Sequence, residues 1–182
     1  MTGVQDIVIA PDDNRIIYAA TTEGLYRSAD AGGSWNNIHP LSMATDVAIR
    51  PDDAQTIFVA HGSYLNSDKG VYRSQDGGAN FTLLNDGIPR NYEGKTRLNI
   101  NLSNPDIVYA SVADVFESRG LYRSVDSGTS WTQMNDDDIA RYQGWYAHDV
   151  ASKPDDPEVV IQTGVDLYRS VTSGANPEQR TD

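Results

Sequence analysis

Apolar residues in this chain come in short runs, never in the longer stretches that a helix face needs. "DIVIA" (6–10), "DVAIR" (46–50), "LNINL" (98–102) and "DVASK" (149–153) alternate apolar and polar positions. Each leads into a proline turn, "PDDN" (11–14), "PDDA" (51–54), "NPD" (104–106) or "PDDP" (154–157). After the turn comes a second run: "IIYAA", "TIFVA", "IVYAS" or "VVIQT". A third follows as "GLYR" (24–27), "GVYR" (70–73), "GLYR" (120–123) and "DLYR" (166–169). Runs this short, rich in Val, Ile, Tyr and Phe and bounded by Gly, Pro, Asp and Asn, predict strands. With a closing strand, each unit reads as four antiparallel strands, A to D.

The third run always feeds the same turn. Ser28, Asp30, Gly32 and Trp35 give S-x-D-x-G-x-x-W, and Ser74, Asp76, Gly78 and Phe81 repeat it. Ser124, Asp126, Gly128 and Trp131 repeat it again; a fourth copy keeps Ser170 and Gly174 but has Thr172 and Pro177. The serines at 28, 74, 124 and 170 recur every 46–50 residues. Four short strands at that period are the signature of a β-propeller blade, which cannot bury both faces of its sheet alone. The fold expected is all-β, a propeller of four-stranded antiparallel blades.

The turn has a structural reading. Short Ser and Asp side chains hold a tight loop by bonding to its backbone, and glycine takes a positive φ that a Cβ resists. The aromatic starts strand D and turns inward between blades. A motif that occurs once per repeat makes a poor catalytic centre, so these residues are assigned to the scaffold. Arg27, Arg73, Arg123 and Arg169 occupy one place in every blade. They are expected to spread around the ring, along blade surfaces or against acids of the next blade.

S-x-D-x-G-x-x-W after a strand, once per blade, resembles the Asp-box (BNR) repeat. That repeat occurs in sialidases, xyloglucanase-type glycosidases, sortilin-like receptor propellers and photosystem assembly factors. The resemblance implies that the Asp box lies on the outer edge, away from any ligand. It covers nearly the whole chain and speaks for the fold; enzymes and non-enzymes share it.

Blades are expected at about 1–40, 41–87, 95–137 and 144–182. The last lacks a clear outer strand, because "ANPEQRTD" (175–182) has no aromatic and no alternation. About four blades suggest part of a larger ring, with a compact four-bladed ring as the less favoured alternative. The unpaired edge of the last blade predicts self-association.

The net charge of −12 argues against nucleic acid and anionic membrane surfaces. With no cysteine there is no disulfide framework, and the three histidines show no metal-ligand spacing, so neither metal nor cofactor is expected. "MTGVQDIVIA" enters a strand directly, without the basic and apolar regions of a signal peptide, and no run reaches membrane-spanning length. The acidic, cysteine-free composition points towards an extracellular or cell-surface bacterial protein.

With strand A running from top to bottom, the constant PDD turns and Asp boxes fall on one face. The variable loops 61–70, 85–97, 111–120 and 135–148 fall on the other, where binding is expected. The richest stretch there is "RYQGWYAHD" (141–149). Tyr142, Trp145 and Tyr146 are candidates for stacking on a sugar or peptide, and His148 and Asp149 for hydrogen bonding; the alternative is that Trp145 and Tyr146 plug the core. Asp6, Asp46 and Asp149 fall at matching strand-A positions and either ring the channel mouth or cap strands. Asp46 and Asp149 are the weak catalytic candidates. The function expected is a binding or scaffold propeller for glycan or protein. The alternative is a glycoside hydrolase, which needs two carboxylates roughly 5–10 Å apart. The chain has no F/Y-R-I-P motif of the sialidases. In xyloglucanase-like enzymes, the resemblance implies, the acids come from two facing propellers.

Overall fold

A computed structural model describes residues 3–63 and 67–181. The strands form four antiparallel four-stranded sheets, each in simple sequence order. Blade 1 holds β1 (Val4–Ile9), β2 (Ile17–Thr21), β3 (Gly24–Ser28) and β4 (Asn36–His39). Blade 2 holds β5 (Ala44–Arg50), β6 (Asp53–His61), β7 (Gly70–Ser74) and β8 (Thr82–Leu84). Blade 3 holds β9 (Thr96–Ile100), β10 (Val108–Ala113), β11 (Ser118–Ser124) and β12 (Thr132–Asn135). Blade 4 holds β13 (Asp149–Lys153), β14 (Asp156–Thr163), β15 (Leu167–Ser170) and β16 (Glu178–Gln179).

The fourth blade therefore has the outer strand that its sequence concealed. Tyr168 pairs with Gln179 and Arg169 with Glu178. Two residues are too few to show alternation, so the strand was invisible to pattern. The expectation of a bare edge on blade 4 is corrected.

Alternation sends each blade's side chains to two neighbours. Tyr18, Ala20 and Leu25 of blade 1 pack on Val47, Ile49, Ile57 and Val59 of blade 2. Phe58, Ala60, Val71 and Leu84 leave blade 2 on its other side and meet Leu98, Ile100, Ala110, Tyr122 and Trp131 of blade 3. Tyr109 and Leu121 then meet Val150 and Val160 of blade 4. Burying each such side chain is worth roughly 1.5–3 kcal/mol, so the stack is held mainly from blade to blade.

Polar side chains fix the inner strands to one another. Val47 N–H donates to an Asp6 carboxylate oxygen at 3.2 Å, and Leu98 N–H to Asp46 at 2.6 Å. Ser152 N–H and its hydroxyl donate to Asn99 Oδ1 at 2.9 and 2.7 Å. The inner-strand carboxylates thus cap the next blade's strand. The arc does not close after four blades: Ile7 and Ile9 on the far side of blade 1 are 56% and 55% exposed. A compact four-bladed ring is ruled out.

Candidate ligand-binding face

Antiparallel strands put the B–C and D–A connections at one end of every blade. There the loops open on a cavity of about 500 Å³, which draws its walls from three blades. Gln5 and Met43 contribute from one side, residues 93–95 from another, and Val115, Phe116 and Trp145 from a third. Two of these loops are laced together. Tyr142 N–H donates to Phe116 O, Trp145 N–H to Val115 O at 3.1 Å, and Lys95 N–H to Gly144 O at 3.3 Å. The approach is closer than a side chain allows: a Cβ on Gly144 would lie 2.0 Å from Asp114 O, and one on Gly94 2.4 Å from the same oxygen. Glycine at both positions lets the loops stack and holds Trp145 beside Phe116.

Trp145 and Phe116 are 51% and 64% exposed, so neither is a core plug. Tyr146 is exposed with its ring centroid 5.2 Å from that of Trp145, and Tyr142 is exposed on the same loop. Phe116 was not singled out from the sequence; an aromatic inside a polar variable loop was the available signal. Lys95 Nζ reaches across to donate to Gln5 Oε1 at 3.0 Å. Burial, and then the charge of Arg97, hold its pKa below the ordinary lysine value.

The other sequence candidates stand elsewhere. His148 is buried, with Nδ1 3.0 Å from the Ser111 hydroxyl. Burial pushes its pKa down to about 4 and keeps it neutral. It supports the loop from below and does not line the cavity. Asp149 starts β13 and accepts Val150 N–H at 2.8 Å, also outside the cavity wall. Asp46 is buried beside Asp6, and both carboxylates accept Val47 N–H. Desolvation, then its bond to Asp6, raises the Asp46 pKa well above the ordinary value. Tyr64, in loop 61–70, lies outside the described residues.

The Asp boxes occupy the opposite end. Gly32 N–H donates to Ser28 Oγ at 2.9 Å, Ser28 Oγ to Asp30 at 2.8 Å, and Ser34 N–H to Asp30 at 2.8 Å. Ser74–Asp76–Gly78 and Ser124–Asp126–Gly128 repeat this network. Each turn takes two positive φ values in succession, as at Ser127 (55°) and Gly128 (82°). In the fourth copy Thr172 replaces the aspartate, and Ser170 and Thr172 both donate to Ala175 O instead. Hydrogen bonds from Ser34, then Ser28, hold Asp30 at about 2, and Asn80, then Ser74, do the same for Asp76. At Asp126 burial raises the pKa, but Ser130 and Ser124 outweigh it, again to about 2. Carboxylates so engaged remain ionised fasteners.

Of the blade arginines, Arg73 reaches the next blade's backbone, and Arg27 bonds to Tyr18 of its own blade. Arg73 Nη1 donates to Ser127 O at 2.5 Å, and Tyr18 OH, itself bonded by Arg27, donates to Gly77 O at 3.2 Å.

A family model described as sortilin, neurotensin receptor 3, matches residues 23–172. The chain belongs to the sortilin–Vps10 family. A search of curated proteins finds no match. Among solved structures, an ancestral GH74 enzyme superposes on this sortilin-family chain with a TM-score of 0.75 at 21% identity, over 100% of this chain and 26% of that one. YCF48 bound to D1 peptide gives 0.65 at 13% identity, over 100% of this chain and 55% of that one. An auxiliary nutrient binding protein from Bacteroides thetaiotaomicron gives 0.68 at 14%, over 97% and 41%. The chain thus spans between about a quarter and just over half of these proteins. At such identities the likeness is one of fold: a β-propeller of Asp-box type.

Proposed function

We propose that this chain is a non-catalytic binding propeller that seats an extended peptide segment of a protein partner across its loop face, outside the cell. The observation that carries this reading is the cavity walled by Phe116 and Trp145, two exposed aromatics on loops locked to each other. Its mainly apolar wall suits an inserted side chain, with Lys95 and Glu93 at the edge to orient the backbone. A glycan would stack on the same rings but asks for more hydrogen-bonding groups. The neighbour holding a D1 peptide and the one titled as nutrient-binding are each compatible with such a face. The net charge of −12 favours neutral or basic partners.

The second reading, glycoside hydrolysis, rests on the carboxyl pair Asp6 and Asp46, where desolvation and the bond to Asp6 raise the Asp46 pKa well above the ordinary carboxylate value. Against it, Val47 and Leu98 amides already occupy these carboxyls, and Asp46 is buried. Peptide and glycan arrays, followed by calorimetry on the best hit, test the proposal. Trp145→Ala is expected to weaken binding at least tenfold, while Asp13→Ala in the opposite turn leaves it unchanged. Binding that survives Trp145→Ala, or turnover of xyloglucan oligosaccharides, overturns it.

A further inference from the structure

Among the described residues, six other than glycine take a positive φ. Ala31, Ser127 and Ser173 do so inside Asp boxes, and Asn176 just after the fourth. The remaining two, Met43 (58°) and Tyr142 (64°), stand on the loop face. Tyr142 belongs to the loop that folds over Phe116, and Met43 lines the cavity itself. A left-handed backbone is unfavourable for any residue with a Cβ, and such strain persists where it serves a site.

The scaffold asks for no side chain at position 43. Met43 immediately precedes β5, and its carbonyl accepts Gly62 N–H at 3.1 Å, one residue beyond the end of β6. In blade 1 the same place, before β1, is held by Gly3, whose carbonyl accepts Thr22 N–H at 2.9 Å, one residue beyond β2. The strand start is closed by the same bond with no side chain at all. What Met43 adds is a thioether in the cavity wall.

That wall discriminates among apolar guests. Trp145 and Phe116 offer exposed rings, which gain more from a ring than from an aliphatic chain of equal area. A methionine sulfur likewise favours a ring edge. The Lys95 ammonium is held by the neutral Gln5 amide and makes no ion pair among the described residues, which leaves its charge to rest on a ring face. A volume of about 500 Å³ also exceeds what one branched aliphatic side chain fills. Resting on the peptide reading above, we propose that the cavity is an anchor pocket for one aromatic side chain of the bound segment, and that Met43 sets this preference.

Blocked amino acids probe the pocket apart from any peptide. The chain's three methionines are labelled with carbon-13 at their methyls, and Met43 is assigned by its loss in Met43→Leu. N-acetyl-tryptophanamide and N-acetyl-tyrosinamide are expected to shift the Met43 methyl upfield by ring current and to leave Met134 unmoved. In competition followed on the tryptophan probe's own signals, N-acetyl-leucinamide is expected to need at least fivefold more than the tyrosine compound for the same displacement. Met43→Leu, which keeps the apolar bulk, and Met43→Gly are each expected to reduce that preference about threefold without lowering the unfolding midpoint. Trp145→Ala is expected to remove the shift. A Met43 methyl that stays still up to about 20 mM of either aromatic amide overturns the proposal, as does a leucine amide that competes equally well. A preference unchanged in both Met43 variants overturns the role of Met43. Peptides that bind through an aliphatic anchor and ignore aromatic amides overturn the pocket and leave the peptide face standing. Aromatic preference with no peptide bound on any array overturns the peptide face and leaves the pocket.

Discussion

His61 shows how a single buried side chain ties stability to pH. Its Nδ1 lies 3.2 Å from Ser42 O, so that nitrogen carries the proton, and Nε2 accepts from His39 Nδ1 at 3.1 Å. A second proton on His61 would set two N–H groups against each other. Burial holds His61 and His148 at about 4, against 6.5 in an unfolded chain. Between those values the unfolded chain binds protons that the folded one refuses. Their contribution is therefore complete above pH 6.5 and lost as pH falls towards 4. Asp46 acts with the opposite sign, because its raised pKa relieves a burial cost as it protonates. The readout is thus a difference: His148→Gln is expected to make the urea stability profile shallower between pH 6.5 and 4.5, by about 2 kcal/mol. An unchanged profile would mean that His148 titrates normally. Ser124 makes a parallel case. Its hydroxyl takes the N–H groups of Asp126 and Gly128 and donates to the Asp126 carboxylate, and Ser124 itself is buried. Ser124→Ala leaves the Gly128 amide buried without an acceptor and is expected to cost about 2 kcal/mol by thermal or urea unfolding. The network was legible in sequence because it is local, with spacing and residue type enough to read it. The burial of Trp131 and the exposure of Trp35 were not, because the same motif is covered or bare according to the blade that precedes it.

At the level of elements, strands were readable and their neighbours only partly so. The short apolar runs in "DVAIR" and "TIFVA" give β5 and β6, and the proline turns separate A strands from B strands. β16 escaped because a two-residue strand is defined by its partners, Tyr168 and Arg169, and by nothing within itself. The loop face was placed correctly by counting strand directions, but its contents were mixed. Trp145, Tyr146 and Tyr142 project outward, whereas His148, only two residues beyond Tyr146, turns inward to Ser111. No sequence pattern marks that change, which depends on loop 141–147 folding back over residues 113–117. The glycines that permit this fold give the test. Gly144→Ala places a methyl against Asp114 O and Glu117 O, two backbone atoms with little freedom to yield. It is expected to shift Trp145 away from Phe116 and weaken ligand binding about tenfold, with a smaller effect on the unfolding midpoint than Ser124→Ala. An affinity equal to the parent's would show that the loop relationship is not what places the aromatics.

Over the whole molecule, stability is a sum of blade-to-blade interfaces, and these are unequal. Among the described residues, the blade 2–3 interface buries thirteen hydrophobic side chains in its core, Phe58, Tyr92 and Trp131 among them, whereas the blade 3–4 interface buries five. Blade 4 also ends in the shortest outer strand and has the weakest box, with Thr172 in place of the aspartate. Opening should therefore start at blade 4 and spread inward. In native-state hydrogen exchange at low protein concentration, amides of β14 and β15 are expected to exchange through openings of lower free energy than those of β6 and β10. Uniform exchange across all four blades would mean that the arc unfolds as one unit and that blade 4 is no weaker than the blades before it.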